Sequence, residues 1–175
     1  MVNDGGLTGG ANLSLMNAIR SLKESGIECC LIAPIEGPLT TQARLEGIST
    51  KVITYGLWAG SETRLFRRLT AMGSSLIALP FIMLQVRAWG CQMVYTNTVT
   101  ICVGSIVARL LRLRHIWHLR EFGTLDYDLS FYLPIPIVSW FIRSSGKIVC
   151  NSQALAEHYS SCLGIEDSKV VYNCV

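Results

Sequence analysis

The sequence has few charged residues. They make up 15% of its 175 residues, against about 25% in a typical soluble domain, while half of the residues are apolar. Part of the surface is therefore expected to be apolar and to be buried against another surface. Two binding partners fit this composition: a partner domain or subunit, and a membrane surface.

Several other signals are missing. The net charge of +3 is small and spread along the chain, which argues against nucleic acid as a partner, because binding to phosphates needs a concentrated basic face. The first ten residues, MVNDGGLTGG, hold neither the basic nor the apolar part of a secretory signal, so we expect a cytoplasmic protein. The apolar run from Leu76 to Gln85 is shorter than the roughly 20 residues that cross a bilayer, and it predicts no transmembrane helix.

The cysteines fit neither a disulfide framework nor a zinc knuckle. There are seven of them, an odd number, and no two are spaced as C-x-x-C. Buried free thiols are the expected outcome. The sequence predicts no bound metal and no cofactor.

Helical and strand patterns alternate along the chain. Apolar residues at helical spacing predict a first helix from Ala11, which Gly26 would end. The following elements are predicted in this order: a strand at CCLIAP, a short helix toward Gly47, a strand at residues 51–55, a long helix at 61–89 with a kink or break at Pro80, a strand at CQMVYTN, a helix at 101–113, a strand at RHIWHLRE, a helix within 131–142, a strand at KIVCNS, a helix from Gln153, and a strand at KVVYN.

This alternation predicts an α/β fold, a Rossmann-like doubly wound parallel sheet in a single domain. In such a fold a glycine-rich loop follows a first strand, and the letters MVN supply only the last residues of one. We therefore expect the chain to lack most of the first strand and to be a fragment.

The opening stretch DGGLTGGANLSL places four glycines just before the first helix. Glycine lets a backbone approach a ligand closely, and the amino terminus of a helix carries a partial positive charge, so together they can bind an anion. The loop matches neither G-x-G-x-x-G nor the P-loop, which disfavours a dinucleotide-binding oxidoreductase. A tight turn that binds nothing is the alternative.

Six short blocks resemble, in this order, the amino-terminal domain of glycosyltransferase family 4, the retaining enzymes of the GT-B fold: GGANLSLMNAIRSLKESGIE, EGPL, VYTNT, WHLREF, IVCNSQALAEHY and VVYNCV. The resemblance covers nearly the whole chain. It implies that residues 1–175 are the acceptor-side domain, ending at the interdomain linker, and that the second domain, which binds the nucleotide sugar, is absent. At the linker Asn173 matches the N-G pair of the family, whereas Cys174 replaces its glycine.

The resemblance implies transfer of a sugar from a nucleotide-sugar donor to a glycan or lipid-linked acceptor, by an enzyme of which this fragment alone is inactive. In the family the glycine loop lies at the cleft near the donor diphosphate, which assigns Gly9, Gly10 and Asn12 to that side. The alternative is a non-catalytic interaction domain, or a subunit whose partner carries the donor site.

The stretch WHLREF ends a predicted strand, where ligands bind in open parallel sheets. Family members often have a His followed by an acidic residue here, and these positions fall on Arg120 and Glu121, with His118 two residues earlier. Since residues two apart in a strand share a face, His118 and Arg120 should point toward the cleft together, and His115 should point the other way. These three residues, His118, Arg120 and Glu121, are the catalytic candidates. The alternative is an Arg120–Glu121 ion pair beside a structural histidine.

Two further strand ends supply candidates for acceptor binding. Asn97 and Thr98 follow VYT, and Ser152 follows VCN at the equivalent place. For Ser152 the alternative is a helix cap, a common role for serine at such a position.

The predicted helical region at residues 61–89 combines arginines with apolar side chains. Arg64, Arg67 and Arg68 flank Leu65 and Phe66, and a basic, apolar helix of this kind can lie in a membrane interface. Such a protein would be peripheral on the inner face of the membrane. The alternative is that the apolar segment packs on the sheet.

Overall fold

A computed structural model describes residues 1–2, 5–6, 10–61, 64–122 and 130–172 of the chain. Within these ranges the helices are α1 Gly10–Glu24, α2 Pro38–Leu45, α3 Leu65–Ala88, α4 Val103–Leu111, α5 Ile135–Arg143 and α6 Gln153–Leu163. The strands are β1 Cys30–Ala33, β2 Ser49–Val52, β3 Ala59–Gly60, β4 Met93–Thr96, β5 Arg114–Leu119, β6 Ser130–Phe131, β7 Lys147–Cys150 and β8 Ser168–Val170.

The main strands are parallel and form two groups. One group has the order β4-β5-β7-β8 and the other pairs β1 with β2. The predicted alternation of six helices with six strands is confirmed, and so is the α/β class. Among the elements of the described residues, the short antiparallel pair of β3 with β6, in which Ala59 faces Phe131, was not predicted.

The first two residues lie beside β4, at the place of a first strand. The amino group of Met1 donates to the carbonyl of Tyr95 at 2.6 Å, and the amide of Asn97 donates to the carbonyl of Met1 at 3.0 Å. On the other side, the Tyr55 hydroxyl donates to the carbonyl of Val2 at 2.5 Å and lies 3.3 Å from that of Ile32 in β1. Met1 and Val2 thus lie between β1 and β4, as predicted for the letters MVN.

Several element boundaries follow local signals in the sequence. Gly26 and Gly47 have φ values of 77° and 73°, the left-handed region that glycine enters readily after a helix. The second strand is Ser49–Val52 rather than residues 51–55. Its position is set by pairing, since Ser49 faces Cys30 and Val52 faces Ala33.

Helix α3 is longer than its apolar run suggested. It continues through Pro80 without a break over 24 residues, about 36 Å at the usual rise per residue. By length and composition α3 could cross a bilayer, and only 22% of its most apolar window is buried inside the fold. The apolar run from Leu76 to Gln85 was therefore too short a measure of this helix, and the absence of a transmembrane helix stays a prediction.

The core is divided among three clusters on the two faces of the sheet. One lies under α5 and α6 and contains the fully buried Trp117 and Leu119. A second lies under α3 and α4 and contains Ile82 and Val107, and a third lies under α1 and α2. This packing leaves the carboxyl ends of β4, β5 and β7 together at one edge of the sheet.

Candidate functional site

Polar side chains from β4 and β5 meet at the carboxyl edge of the sheet. We call Tyr95, Asn97, His118 and Arg120 the strand-end cluster. Tyr95 and His118 lie in strands that pair in parallel register, and Asn97 and Arg120 directly follow those strands. Alternation along the strands puts all four side chains on the face that α1 covers.

Arg120 is the central residue of this cluster. Its Nε donates to Oδ1 of Asn97 at 2.8 Å, and its Nη2 lies 3.2 Å from Nδ1 of His118. Arg120 is only 8% exposed, and a buried cation is costly unless hydrogen bonds or an anion stabilise it. The prediction that His118 and Arg120 share a face is confirmed.

His118 is neutral, and its tautomer follows from its partners. The guanidinium has donors only, so Nδ1 of His118 must accept the bond from Arg120 and the proton must be on Nε2. The Tyr95 hydroxyl also contacts Nδ1. Burial and the charge of Arg120 lower the pKa of His118 to about 3. Its buried Nε2 has no hydrogen-bond partner among the described residues.

His115 lies on the opposite face of β5, as predicted. Its Nε2 is 2.8 Å from Oγ1 of Thr96, and burial lowers its pKa to about 4. The two histidines therefore do not share a site. In the parts of the chain that the structure describes, no three His, Cys, Asp or Glu side chains are placed to bind a metal ion.

Both buried histidines should make the fold sensitive to acid. In the unfolded chain a histidine has a pKa near 6.5, so the folded state, with its lowered pKa values, binds fewer protons below that pH. The contribution of the two neutral histidines to the free energy of unfolding is complete above about pH 6.5 and is lost as the pH falls toward the folded pKa values. Between pH 7 and 5 the free energy of unfolding falls by about 2 kcal/mol per histidine.

We therefore expect His118→Gln to reduce this loss of stability by about 2 kcal/mol, the contribution of one histidine. Urea unfolding followed by circular dichroism at pH 7 and pH 5 gives the free energy of unfolding for each protein. An equal loss of stability in the variant and in the unchanged chain would contradict the assignment of a neutral, buried His118.

The Glu121 side chain contacts the backbone of the loop at residues 97–100. Its Oε2 accepts the backbone amide of Val99 at 3.2 Å, and its carbonyl accepts the Tyr159 hydroxyl at 2.6 Å. Burial raises the pKa of the Glu121 carboxyl. These contacts hold the loop at residues 97–100 against the end of β5, and the catalytic role of Glu121 stays a prediction.

Two of the acceptor-binding candidates bond within the fold. The Thr98 hydroxyl lies 2.9 Å from that of Thr100. Ser152 caps α6, since its Oγ accepts the amide of Leu155 at 3.2 Å, so the helix-cap alternative is confirmed. Asn97, in contrast, reaches both Arg120 and α1, where its Nδ2 donates to the carbonyl of Ala11 at 3.2 Å.

The described part of the glycine loop lies next to this cluster. Gly9 is outside the described residues, and so are Asn173 and Cys174 of the predicted linker. Gly10 is the exposed first residue of α1, and Asn12 donates from Nδ2 to the carbonyl of Gly6 at 2.8 Å. The amino terminus of a fifteen-residue helix therefore lies at the strand-end cluster.

Part of the glycine content has a packing explanation. A Cβ added to Gly37 would lie 2.4 Å from the carbonyl oxygen of Gly5, and the Leu39 amide donates to that same oxygen at 2.9 Å. Gly37 is thus required where the first loop touches the start of α2, and a Cβ added to Gly5 would be tightly placed, 3.1 Å from the carbonyl oxygens of Ile35 and Glu36. The tight-turn alternative accounts for Gly5, and Gly10, whose added Cβ would meet nothing within 4 Å, is free of that constraint.

The sequence did not single out several residues that hold the site. Tyr95 contacts His118, and Asn151 donates from Nδ2 to the carbonyl of Arg120 at 3.2 Å, which joins β5 to β7. Trp117 and Trp58 donate from their indole nitrogens to the carbonyls of Thr98 and Val99, both at 2.7 Å. Strand alternation could have indicated Tyr95, which is two residues before Asn97.

The comparison with protein families agrees with this geometry. The model of Glycosyltransferase Family 4 matches residues 8–175. The chain belongs to glycosyltransferase family 4. No match was found among curated proteins.

Solved structures show that this family 4 domain has the fold of GT-B glycosyltransferases. HepE from Anabaena, solved in complex with UDP, has a TM-score of 0.71 at 17% identity over 99% of this chain. MurG from Acinetobacter baumannii has 0.67 at 17% over 98%, and a glycosyltransferase from Rickettsia africae has 0.66 at 14% over 98%. HepE was also solved with UDP-glucose. The family 4 domain spans 43%, 44% and 41% of the length of these three proteins.

Proposed function

We propose that this chain is the acceptor-side domain of a retaining glycosyltransferase, which moves a sugar from a nucleotide-sugar donor to a glycan or lipid-linked acceptor. The observation that carries the proposal is the strand-end cluster, in which Asn97 and His118 hold the buried Arg120 beside the amino terminus of α1. The family match and the GT-B fold support it.

The donor half of the active site, in this proposal, lies outside these 175 residues. Support comes from the length comparison, since the chain corresponds to less than half of HepE. HepE itself was solved with UDP and with UDP-glucose, which supports a nucleotide sugar as the donor. The 175 residues alone should then be inactive.

The cluster suits the charges that develop during transfer. When the bond between the sugar and the diphosphate breaks, negative charge grows on the diphosphate and positive charge on the sugar ring, and preorganised dipoles stabilise them. Arg120 and the amino terminus of α1 at Gly10 supply positive potential for the departing diphosphate. His118 orients Arg120 by accepting a hydrogen bond at Nδ1.

On the acceptor side we assign binding to Asn97, which lies at the end of β4 next to Arg120. We leave Thr98 and Ser152 out, because their hydroxyls bond to Thr100 and to the Leu155 amide. A lipid-linked acceptor would bring the reaction to a membrane, on the cytoplasmic side by the sequence prediction. Fractionation of cells that produce the full protein would check that location.

The test is reconstitution. The polypeptide that supplies the donor half should be encoded next to this chain, in the same reading frame or as a separate subunit. Produced together, the two should transfer sugar from a nucleotide sugar with retention of the anomeric configuration, which NMR of the product reports. The 175 residues alone should transfer nothing.

Two results would contradict the proposal. A folded assembly that transfers no sugar from any nucleotide sugar tested would favour the alternative, a non-catalytic interaction domain. Products of inverted configuration would leave sugar transfer in place but exclude the retaining mechanism.

A further inference from the structure

The charge distribution of the chain is strongly uneven. Residues 63–120 contain eight arginines and no Asp or Glu, although the whole chain has 12 acidic residues. The helices α3, α4 and α5 together carry five arginines and no acidic residue. A long stretch of this kind is unusual on a soluble surface, where charges of both signs are mixed.

These three helices lie side by side on one face of the sheet. Helix α3 packs against α4, and α4 contacts α5, where the guanidinium of Arg109 lies 4.7 Å from the ring centre of Trp140. The Ser105 and Ser145 hydroxyls are 3.3 Å apart between α4 and the end of α5. We call the outer surface of α3, α4 and α5 the three-helix face.

The three-helix face is apolar as well as basic. On α3 the exposed apolar side chains share the side that points away from the sheet: Phe66, Leu69, Leu76, Ile77, Phe81 and Leu84. Phe66 is 77% exposed and Ile77 is 71% exposed. Trp140 of α5 is 55% exposed. Contiguous exposed apolar patches of this kind mark protein or membrane interaction sites.

The arginines are placed around this apolar surface. Arg67 lies in the first turn of α3 and Arg87 in its last, with the apolar side chains from Leu69 to Leu84 between them. The two ends are about 30 Å apart. Arg68 turns toward the end of β6, where its guanidinium lies 5.1 Å from the ring centre of Tyr132. Apolar side chains flanked by arginines are the arrangement that binds an interface of acyl chains and anionic headgroups.

We propose that the three-helix face binds an anionic lipid bilayer. Charge complementarity selects this partner. A second copy of the chain would bring arginine against arginine, because the three helices have no carboxylate to offer, and like charges that meet at an interface are unfavourable. Anionic headgroups supply the opposite charge and acyl chains cover the apolar side chains.

The face binds with α3 parallel to the membrane plane. The inner side of α3 is part of the core, where Ile82 is fully buried and Val86 nearly so. The Ser75 hydroxyl also bonds to the backbone of Gly56, at 2.9 Å to the carbonyl and 3.1 Å to the amide. A helix that crossed the bilayer would lose this packing. The 24-residue α3 is therefore long enough to span but is held in the plane.

Flotation with vesicles tests the proposal on the 175-residue chain. The chain should float with vesicles of mixed phosphatidylcholine and phosphatidylglycerol and stay behind with phosphatidylcholine alone. Arg67→Gln together with Arg87→Gln should weaken binding by about 30-fold. Ile77→Gln and Phe81→Gln should each weaken it by about tenfold or more, and both sites are exposed, so the variants should fold.

Matched controls lie on the other surfaces of the domain. Leu45→Gln changes an apolar residue on α2 that is more exposed than Ile77 or Phe81, and Lys147→Gln with Lys169→Gln removes two exposed charges from β7 and β8. These controls should bind as the unchanged chain does. Binding that ignores anionic lipid, or that the controls weaken as much as the face variants do, would overturn the proposal.

Two further measurements separate the remaining outcomes. Alkaline carbonate should release the chain from vesicles, whereas resistance to it would overturn the in-plane arrangement in favour of a spanning α3. Sedimentation should show no dimer that Ile77→Gln or Phe81→Gln dissociates, because such a dimer would assign the face to a second copy. The inference does not rest on sugar transfer, so failure of reconstitution would leave it standing.

Discussion

Replacing Arg120 by methionine should lower sugar transfer by the reconstituted enzyme by about 10²- to 10³-fold, the loss typical when one preorganised group that stabilises transition-state charge is removed. Methionine keeps much of the side-chain length but has no charge and no N–H. Because Arg120 is buried between Asn97 and His118, no neighbouring charge in the strand-end cluster replaces it. The fall should appear in kcat, measured with saturating donor and acceptor.

Arg120→Lys should give an intermediate rate. Lysine restores the charge, but it cannot donate from a planar fork to Asn97 and His118 at the same time. Arg114→Met is the matched control, since Arg114 is an exposed arginine at the other end of the same strand. A full rate for Arg120→Met, with Arg114→Met equally active, would exclude Arg120 from the reaction.

A second readout separates catalysis from simple loss of structure and needs only the 175 residues. The charge of Arg120 contributes to the low pKa of His118. Arg120→Met should therefore raise that pKa, which titration of the His118 ring by NMR reports. The pKa of His115, on the other face of the strand, should stay unchanged. A shift of both histidines would indicate that the variant has lost its packing.

The order of elements could be predicted because its signals are local. Left-handed glycines at Gly26 and Gly47 end two segments, and buried strands read as continuous apolar runs. The boundaries of strands that are set by pairing with a distant strand were predicted less accurately. The second strand starts at Ser49 because it pairs with Cys30, and the two-residue strand at Ala59 exists only because Phe131, far along the chain, pairs with it.

The same distinction applies to the strand-end cluster. That His118 and Arg120 share a face follows from the period of a strand, so sequence alone was sufficient. That Arg120 bonds to Asn97 rests on the order of β4 and β5 in the sheet, which the sequence did not provide. Ser152 had two compatible roles, and the amide of Leu155 decided between them. The hydrogen bonds from Trp58 and Trp117 to the loop carbonyls could not be predicted, because a buried tryptophan is common in any core.

Trp58→Ala should destabilise the fold more than any other change considered, by about 3–5 kcal/mol, as expected for the truncation of a buried aromatic residue. Trp58 is 2% exposed, stacks on Trp117 with ring centres 5.7 Å apart, and contacts the edges of Phe131 and Phe141. A loss of this size is a large part of the total stability of a domain, roughly 5–15 kcal/mol. Urea unfolding followed by circular dichroism measures it.

Trp58→Phe separates the ring from its N–H. The indole nitrogen donates to the carbonyl of Val99 at 2.7 Å, and an unpaired buried carbonyl costs about 1–3 kcal/mol. We expect that smaller loss, with faster hydrogen exchange at the Val99 amide. Trp140→Ala, at the exposed tryptophan, should cost under about 1 kcal/mol. If Trp58→Ala were no more destabilising than Trp140→Ala, the two stacked indoles would not be what holds the loop of Asn97 in place beside Arg120.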